Sequence, residues 1–254
     1  IINTYNNFSF KESGCLVKTV LFKNNQHEYI MFILNTLITD DRSIQLFIND
    51  FITFYSKAVN GLKPELQTRN TSYKEWAEKV YEQYKGDYFQ KQCEYWENSF
   101  SGEFSPMGNN KSVEQAITGY EESSLLLSQQ ETNKLINEIH HAYNTKPDEI
   151  FLTGLIKALC EWKGLHSIFV DIDNAQRIPV DSRFDISRTI GPFHFIFPLH
   201  FTLADDVTMG DMIKMVKEQV RNVSQHGLGF GIWKYFQKGK ENMQGAHPGI
   251  YIKS

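Results

Sequence analysis

Cysteine is scarce, with Cys15, Cys93 and Cys160 far apart and odd in number. That count argues against a disulfide framework and against a Cys-x-x-Cys metal site, and it suits a reducing cytosol. Concentrated positive charge is missing too. Lys and Arg total 26 against 30 Asp and Glu, a net charge of −4, and they are scattered without a basic block. Nothing in the charge pattern therefore selects nucleic acid or anionic lipid as a partner. No apolar run approaches the length of a membrane span, and the first residues are too polar for a signal peptide. There is no internal repeat and no low-complexity tract. What remains is a cytoplasmic globular protein of ordinary composition, 41% apolar and 22% charged, with enough material at 254 residues for one large domain or two smaller ones.

The stretch around which the chain is organised is Tyr29 to Phe51, an apolar strand, a short polar break and an amphipathic helix. Breaks of this kind hold catalytic side chains on rigid supports. This one contains Asn35, Thr36, Thr39, Asp40, Asp41 and Arg42, but no histidine, cysteine or lysine. None of its groups titrates near neutral pH unless strongly perturbed. Upstream, Leu16–Phe22 partly alternates and pairs with a more fully buried strand at Glu28–Leu34 through the turn residues Asn24, Asn25 and Gln26. Downstream, Ser43 is the expected cap of a helix whose core stripe is Ile44, Phe47, Ile48, Phe51, Phe54 and Tyr55, ended by Asn60 and Gly61.

Two charged, aromatic helices follow from Ser72 and Asp87, and then Ser101–Asn110, whose Gly, Pro and Asn content marks a loop and an organisational boundary. Glu114–Leu127 reads as extended. Ser128 and Glu131 form a capping-box pattern opening a helix with Leu135, Ile136, Ile139 and Tyr143 on one side. His140 and His141 near its end point about 100° apart and are poorly placed to share a metal. The helix opened by Pro147 is apolar almost all round and should be deeply buried. Ser167–Ile172 is a strand running out into Asp173, Asn174, Ala175, Gln176 and Arg177, and Phe193–Phe201 is another. Thr208 and Asp211 open a helix with Met212, Ile213, Met215, Val216 and Val220 inward. The glycines from Gly227 lack dinucleotide-fingerprint spacing and suit a tight turn into a helix, and Ile250–Ile252 is a last short strand.

In this order, the Leu16–Phe51 unit, SYKEWAEK, FQKQCEYWE, FVDIDNAQR, DISRTIGPF and GLGFGIWKYF resemble the condensation-domain superfamily of nonribosomal peptide synthetases, above all its epimerization branch. The resemblance implies a chloramphenicol-acetyltransferase-like two-lobed α/β fold, present in part. Residues 1–100 would be the end of the N-terminal lobe with inter-lobe helices, and 111–254 the C-terminal lobe. The family's His-His-x-x-x-Asp-Gly motif falls on Asn35, Thr36, Asp40 and Asp41, so that Thr36 stands where the catalytic histidine would be. The branch's Glu-Gly-His-Gly-Arg falls on Asp173, Asn174, Ala175, Gln176 and Arg177, where only the arginine matches.

Epimerizing a thioester-bound aminoacyl group requires removing a weakly acidic α-proton and returning one to the opposite face, so titrating groups must flank the carbon. Threonine cannot be that base. The resemblance therefore implies a degenerate domain whose own activity is lost, kept as a structural or docking platform for a peptidyl carrier protein, neighbouring synthetase domains or a tailoring enzyme in trans. No cofactor or metal would be bound directly; a carrier's phosphopantetheine arm would bring any substrate. The alternative is a working epimerase or condensation enzyme using Asp173. Asp40 and Asp41 admit two readings, a new acid/base or cation pair, or carboxylates bonded to nearby backbone amides. Arg177 and Arg188 read as ties between strands.

Overall fold

The computed structural model describes residues 15–65, 71–83, 86–99, 121–204, 206–223, 227–236 and 250–253. The loop at 101–110 and the first part of the stretch read as extended, 114–120, lie outside them. Two compact units are present, Ile1–Gly86 with Ala175–His194, and Asp87–Asn174 with Phe195–Ser254.

In the first unit, β1 (Val17–Lys23) and β2 (Glu28–Leu34) form an antiparallel hairpin in register from Val17↔Leu34 to Lys23↔Glu28. Asn24 closes the turn, its Oδ1 accepting from the backbone N–H of Gln26 at 2.9 Å and of His27 at 2.6 Å. Of β2 only Ile33 is fully buried, and Tyr29 and Ile30 are exposed. This corrects the expectation of a buried strand. Among the described residues this sheet has two strands, and the apolar residues near its turn stay exposed.

Helix α1 (Asp41–Val59) packs on the ribbon through Phe47 and Phe51, whose rings meet Phe32 edge-on at 5.0 Å each. The spacing of those two residues, one helical turn apart, is what brings both to one strand residue. The two ends of the expected stripe do not reach the core, since Ile44 and Tyr55 are exposed. Gly61 ends the helix at φ 70°, and the N–H of Leu62 returns to the Lys57 carbonyl at 2.9 Å.

A capping box of Ser72 and Glu75 opens α2 (Tyr73–Gln83). Its buried Trp76 donates to the Ile178 carbonyl at 2.9 Å and stacks edge-on with Phe193 at 5.0 Å, while Gln83 reaches the Val180 carbonyl at 3.1 Å. These contacts hold 175–194 in the first unit although it follows the second unit's strand in sequence.

The second unit is a three-stranded sheet ordered β4-β3-β5, with β3 (Ser167–Asn174) antiparallel to β4 (Phe195–Thr202) and parallel to β5 (Tyr251–Lys253). One sheet face, Ile168, Val170 and Ile172 with Phe197, Leu199 and Phe201, forms the core. Pro198 interrupts no central ladder, because β4 lies at the edge among the described strands. Packed on that core are α3 (Asp87–Ser99) through Trp96, α6 (Pro147–Lys163) through Leu152, Ile156 and Cys160, α7 (Met209–Asn222) through Met212 and Val216, and α8 (Leu228–Phe236) through Phe230 and Trp233.

The Ser128 capping box opens α4 (Gln129–Asn133), which continues through a π-helical stretch, Lys134–Ile139, into α5 (His140–Tyr143). That change of pitch rotates Ile136 out to solvent, so the expected one-sided stripe is broken. Helix α6 is likewise less buried than its composition suggests. One face meets the core, and the other exposes Phe151, Leu155 and Trp162, the last at 71%.

Gly227 turns the chain into α8 with φ 89°, and a Cβ there would lie 1.8 Å from Cδ1 of the fully buried Phe197. Positive φ and overpacking act together at this position. Gly227→Ala is expected to destabilise the second unit by about 2–5 kcal/mol, measured as a fall in urea midpoint with unchanged m-value.

Candidate functional site

The polar break is a tightly bonded turn. The N–H of Asn35 donates to the Leu16 carbonyl at 3.0 Å, its Oδ1 accepts from Leu37 N–H at 2.9 Å, and its carbonyl accepts from Ile38 N–H at 3.0 Å and Thr39 Oγ1 at 3.2 Å. Asn35 is half-buried, Thr36 is exposed, and Thr39 and Asp40 are buried.

Asp40, not Ser43, caps α1. Its backbone is extended, and Oδ1 accepts from the Ser43 N–H at 2.6 Å, which places a carboxylate on the positive end of the helix. The Ser43 hydroxyl is used elsewhere. It donates to the Gly191 carbonyl at 3.0 Å and accepts from the Gly191 N–H and from Arg177 Nη2, both at 3.0 Å. Asp41 is exposed in the first turn, so the two carboxylates occupy different environments.

Arg177 gathers this region. Nη2 donates to Asp40 Oδ1 at 3.1 Å and to Ser43, and Nη1 donates to the carbonyls of Ile186, at 3.1 Å, and Thr189. The guanidinium also stands over the Phe193 ring, 4.4 Å from its centroid. Burial pushes its pKa down, Asp40 pulls it back up, and Arg42 lowers it again. Arginine stays charged through shifts of that kind, so the pair is ionic. The tie therefore joins a helix N-terminus to a loop, whereas the sequence suggested a tie between strands. Arg188 binds Asp50 of α1 at 2.7 Å, also away from any strand.

The second group of motif positions ends β3. Asp173 is 3% exposed, and its Oδ2 accepts a hydrogen bond from the Tyr251 hydroxyl of β5. Asp171, two residues earlier on the same face, is buried, and so is Lys234 of α8. Burial lowers the Lys234 pKa while Asp171 raises it. Asn174 and Gln176 are half-buried and Ala175 is exposed. Of the motif positions, the structure brings Asp40 and Arg177 together in the first unit and places Asp173 and Asn174 in the second. Tyr251 and Lys234 were missed in the sequence. The alternation of Ile250, Tyr251 and Ile252 signals only that the tyrosine turns to the opposite face from the two isoleucines.

Burial first, then Asp173 and Asp171, push the Tyr251 pKa far above that of a free phenol, so the hydroxyl remains a donor. Tyr73 and Tyr95 are raised as well, each chiefly by burial. A phenol whose folded pKa exceeds its unfolded value of about 10 leaves stability intact below that pH. As pH rises further the unfolded chain loses its proton first, and stability falls. Urea midpoints are expected to drop from about pH 10 upward, less steeply in Tyr251→Phe than in the wild type. Equal slopes would show that the Tyr251 proton is not held by Asp173.

The condensation-domain family model matches residues 4–248. The chain belongs to the condensation-domain family. Bacitracin synthase 3 of Bacillus licheniformis is 32% identical over 240 residues, which take in 92% of this chain and 4% of that protein. The solved epimerization domain from the third module of tyrocidine synthetase B matches with a TM-score of 0.77 at 22% identity, covering 87% of this chain and 49% of that one. The X-domain solved in complex with OxyB from teicoplanin biosynthesis matches with a TM-score of 0.62 at 16% identity, covering 83% and 47%. The fold is thus the mixed α/β, chloramphenicol-acetyltransferase-like one, and this chain spans about half the length of the solved domains and a small share of the synthetases. No described helix is long and apolar enough to cross a membrane.

Proposed function

We propose that this condensation-family domain is catalytically silent and serves a peptide synthetase as a structural or docking platform. The observation that carries the reading is Asp173. With Asp40 held by Arg177 and Asp41 exposed to solvent in the first turn of α1, Asp173 is the buried motif carboxylate left to act as a base, and it is hydrogen-bonded by Tyr251. Thr36 supplies no titrating group of its own. The partners are then a peptidyl carrier protein with its phosphopantetheine arm, adjoining synthetase domains and, following the X-domain bound to OxyB, a tailoring enzyme in trans.

The test is α-proton exchange with deuterated solvent on an aminoacyl thioester loaded on its carrier. The silent domain leaves exchange at the rate of the thioester alone. Exchange above that rate that disappears in Asp173→Asn would establish the other reading, an epimerase or condensation enzyme working through Asp173.

A further inference from the structure

Helix α1 of the first unit is apolar on two sides. On one side Leu46 is buried and Phe47 meets Phe32 of the ribbon. The other side is bare. At about 100° per residue, Ile44, Ile48, Phe51, Ile52, Tyr55 and Val59 fall within an arc of about 100°. Ile52, Tyr55 and Val59 are 55%, 60% and 67% exposed, Ile44 is exposed as well, and the Phe51 ring stacks on that of Tyr55. A helix that is apolar on opposite sides normally lies between two layers. Of the charged residues of α1, Asp41 in the first turn is the one inside this arc, while Arg42, Asp50 and Lys57 lie outside it.

Three kinds of cover compete for such a face. A lipid surface holds an amphipathic helix through Lys and Arg flanking its apolar side, and α1 has only Arg42 and Lys57, both outside the arc. A charged partner finds almost nothing there to pair with. A second copy of this chain fits the spacing. From Ile44 to Val59 the apolar positions advance by 4, 3, 1, 3 and 4 residues, a series that reads the same from either end. Two antiparallel copies of α1, with a two-fold axis between Phe51 and Ile52, set Ile44 opposite Val59 and Ile48 opposite Tyr55 and bring Phe51 and Ile52 together at the axis. The bare side chains present about 500 Å² of apolar surface, as large as the largest patch on most monomers. Doubled, this is about 1,000 Å², the lower limit for a specific interface. We infer that the outer face of α1 is the interface of a weak, two-fold dimer of this chain. The dimer does not depend on whether chemistry occurs at Asp173.

The test is sedimentation equilibrium of the 254-residue protein loaded at about 1 to 200 μM. A shift from monomer to dimer across that range is expected, with a dissociation constant on the order of 10 μM. Ile52→Glu sets like charges on both sides of the axis and is expected to weaken the dimer at least about tenfold, and so is Ile52→Lys. An equimolar mixture of the two should dimerise more tightly than either alone, because opposite charges then meet at the axis. Trp162→Glu, on the bare face of α6, should leave the dimer unchanged. Far-UV circular dichroism and urea midpoints check that each variant is folded. The inference is overturned if the wild type stays monomeric throughout, if folded Ile52→Glu dimerises as the wild type does, if the mixture gains nothing, or if Trp162→Glu abolishes the dimer. Flotation of the wild type with phosphatidylcholine and phosphatidylglycerol vesicles, lost in Ile52→Glu, would assign the face to a lipid surface and overturn it too.

Discussion

Replacing Arg177 by methionine is expected to cost the first unit about 3–5 kcal/mol, because it strands the Asp40 carboxylate in the interior without its counter-charge. The Asp40 side chain is 2% exposed and that of Arg177 is 11% exposed. Removing the guanidinium also leaves the Ser43 hydroxyl and the carbonyls of Ile186 and Thr189 short of a donor. Asp40→Asn asks a narrower question. Asparagine caps a helix about as well as aspartate, so the Ser43 N–H keeps its acceptor and the loss reports the charge alone. The double variant Asp40→Asn with Arg177→Met should recover part of either single loss, giving a coupling of about 1.5–3 kcal/mol in a double-mutant cycle of urea unfolding energies. The Arg188 to Asp50 pair is shorter, 2.7 Å against 3.1 Å, but lies at the surface. Arg188→Ala should therefore cost no more than about 1 kcal/mol. Additive single effects at Asp40 and Arg177, each below about 1 kcal/mol, would show that the buried pair does not hold the break and the loop together.

The same pair marks the limit of what the sequence disclosed. Local chemistry was legible. The Ser128 and Glu131 capping box, the Thr208 cap of α7, the Gly61 stop and the turn at Gly227 all depend on residues within a few positions of one another. The strand from Ser167 and the final short strand were legible because β-branched and aromatic runs of that length have few alternatives. Asp40 and Arg177 are 137 positions apart, and neither residue type signals the other. Once Arg177 and Gly191 claim the Ser43 hydroxyl, the cap passes to Asp40, so a local prediction failed for a non-local reason. The burial of α6 failed differently. Its apolar residues run nearly all round, yet the sheet meets one face, and periodicity does not say whether a second layer covers the other. Tyr251 was hidden because partnership with Asp173 follows from the parallel pairing of β3 and β5, and strand order is not written in either strand.

Incubated with a carrier-loaded aminoacyl thioester in deuterated solvent, the wild-type protein is expected to exchange the α-proton no faster than the thioester alone. A positioned general base contributes roughly 10²- to 10⁴-fold, and it does so when its pKa lies near the working pH and its lone pair faces the proton. The Thr36 hydroxyl does not titrate near the working pH, and the Asp173 oxygen that Tyr251 engages is already committed to a donor that stays protonated. Two variants separate a base that is merely covered from a site that has lost its chemistry. Tyr251→Phe removes the hydroxyl that donates to Asp173 and leaves the ring in place. If covering were the whole cause of silence, this variant would raise exchange by up to about 10²-fold, and Asp173→Asn in the same background would abolish the gain. The expectation is that Tyr251→Phe stays at the background rate. A single carboxylate does not supply the second titrating group that this chemistry needs, and threonine at position 36 is not one.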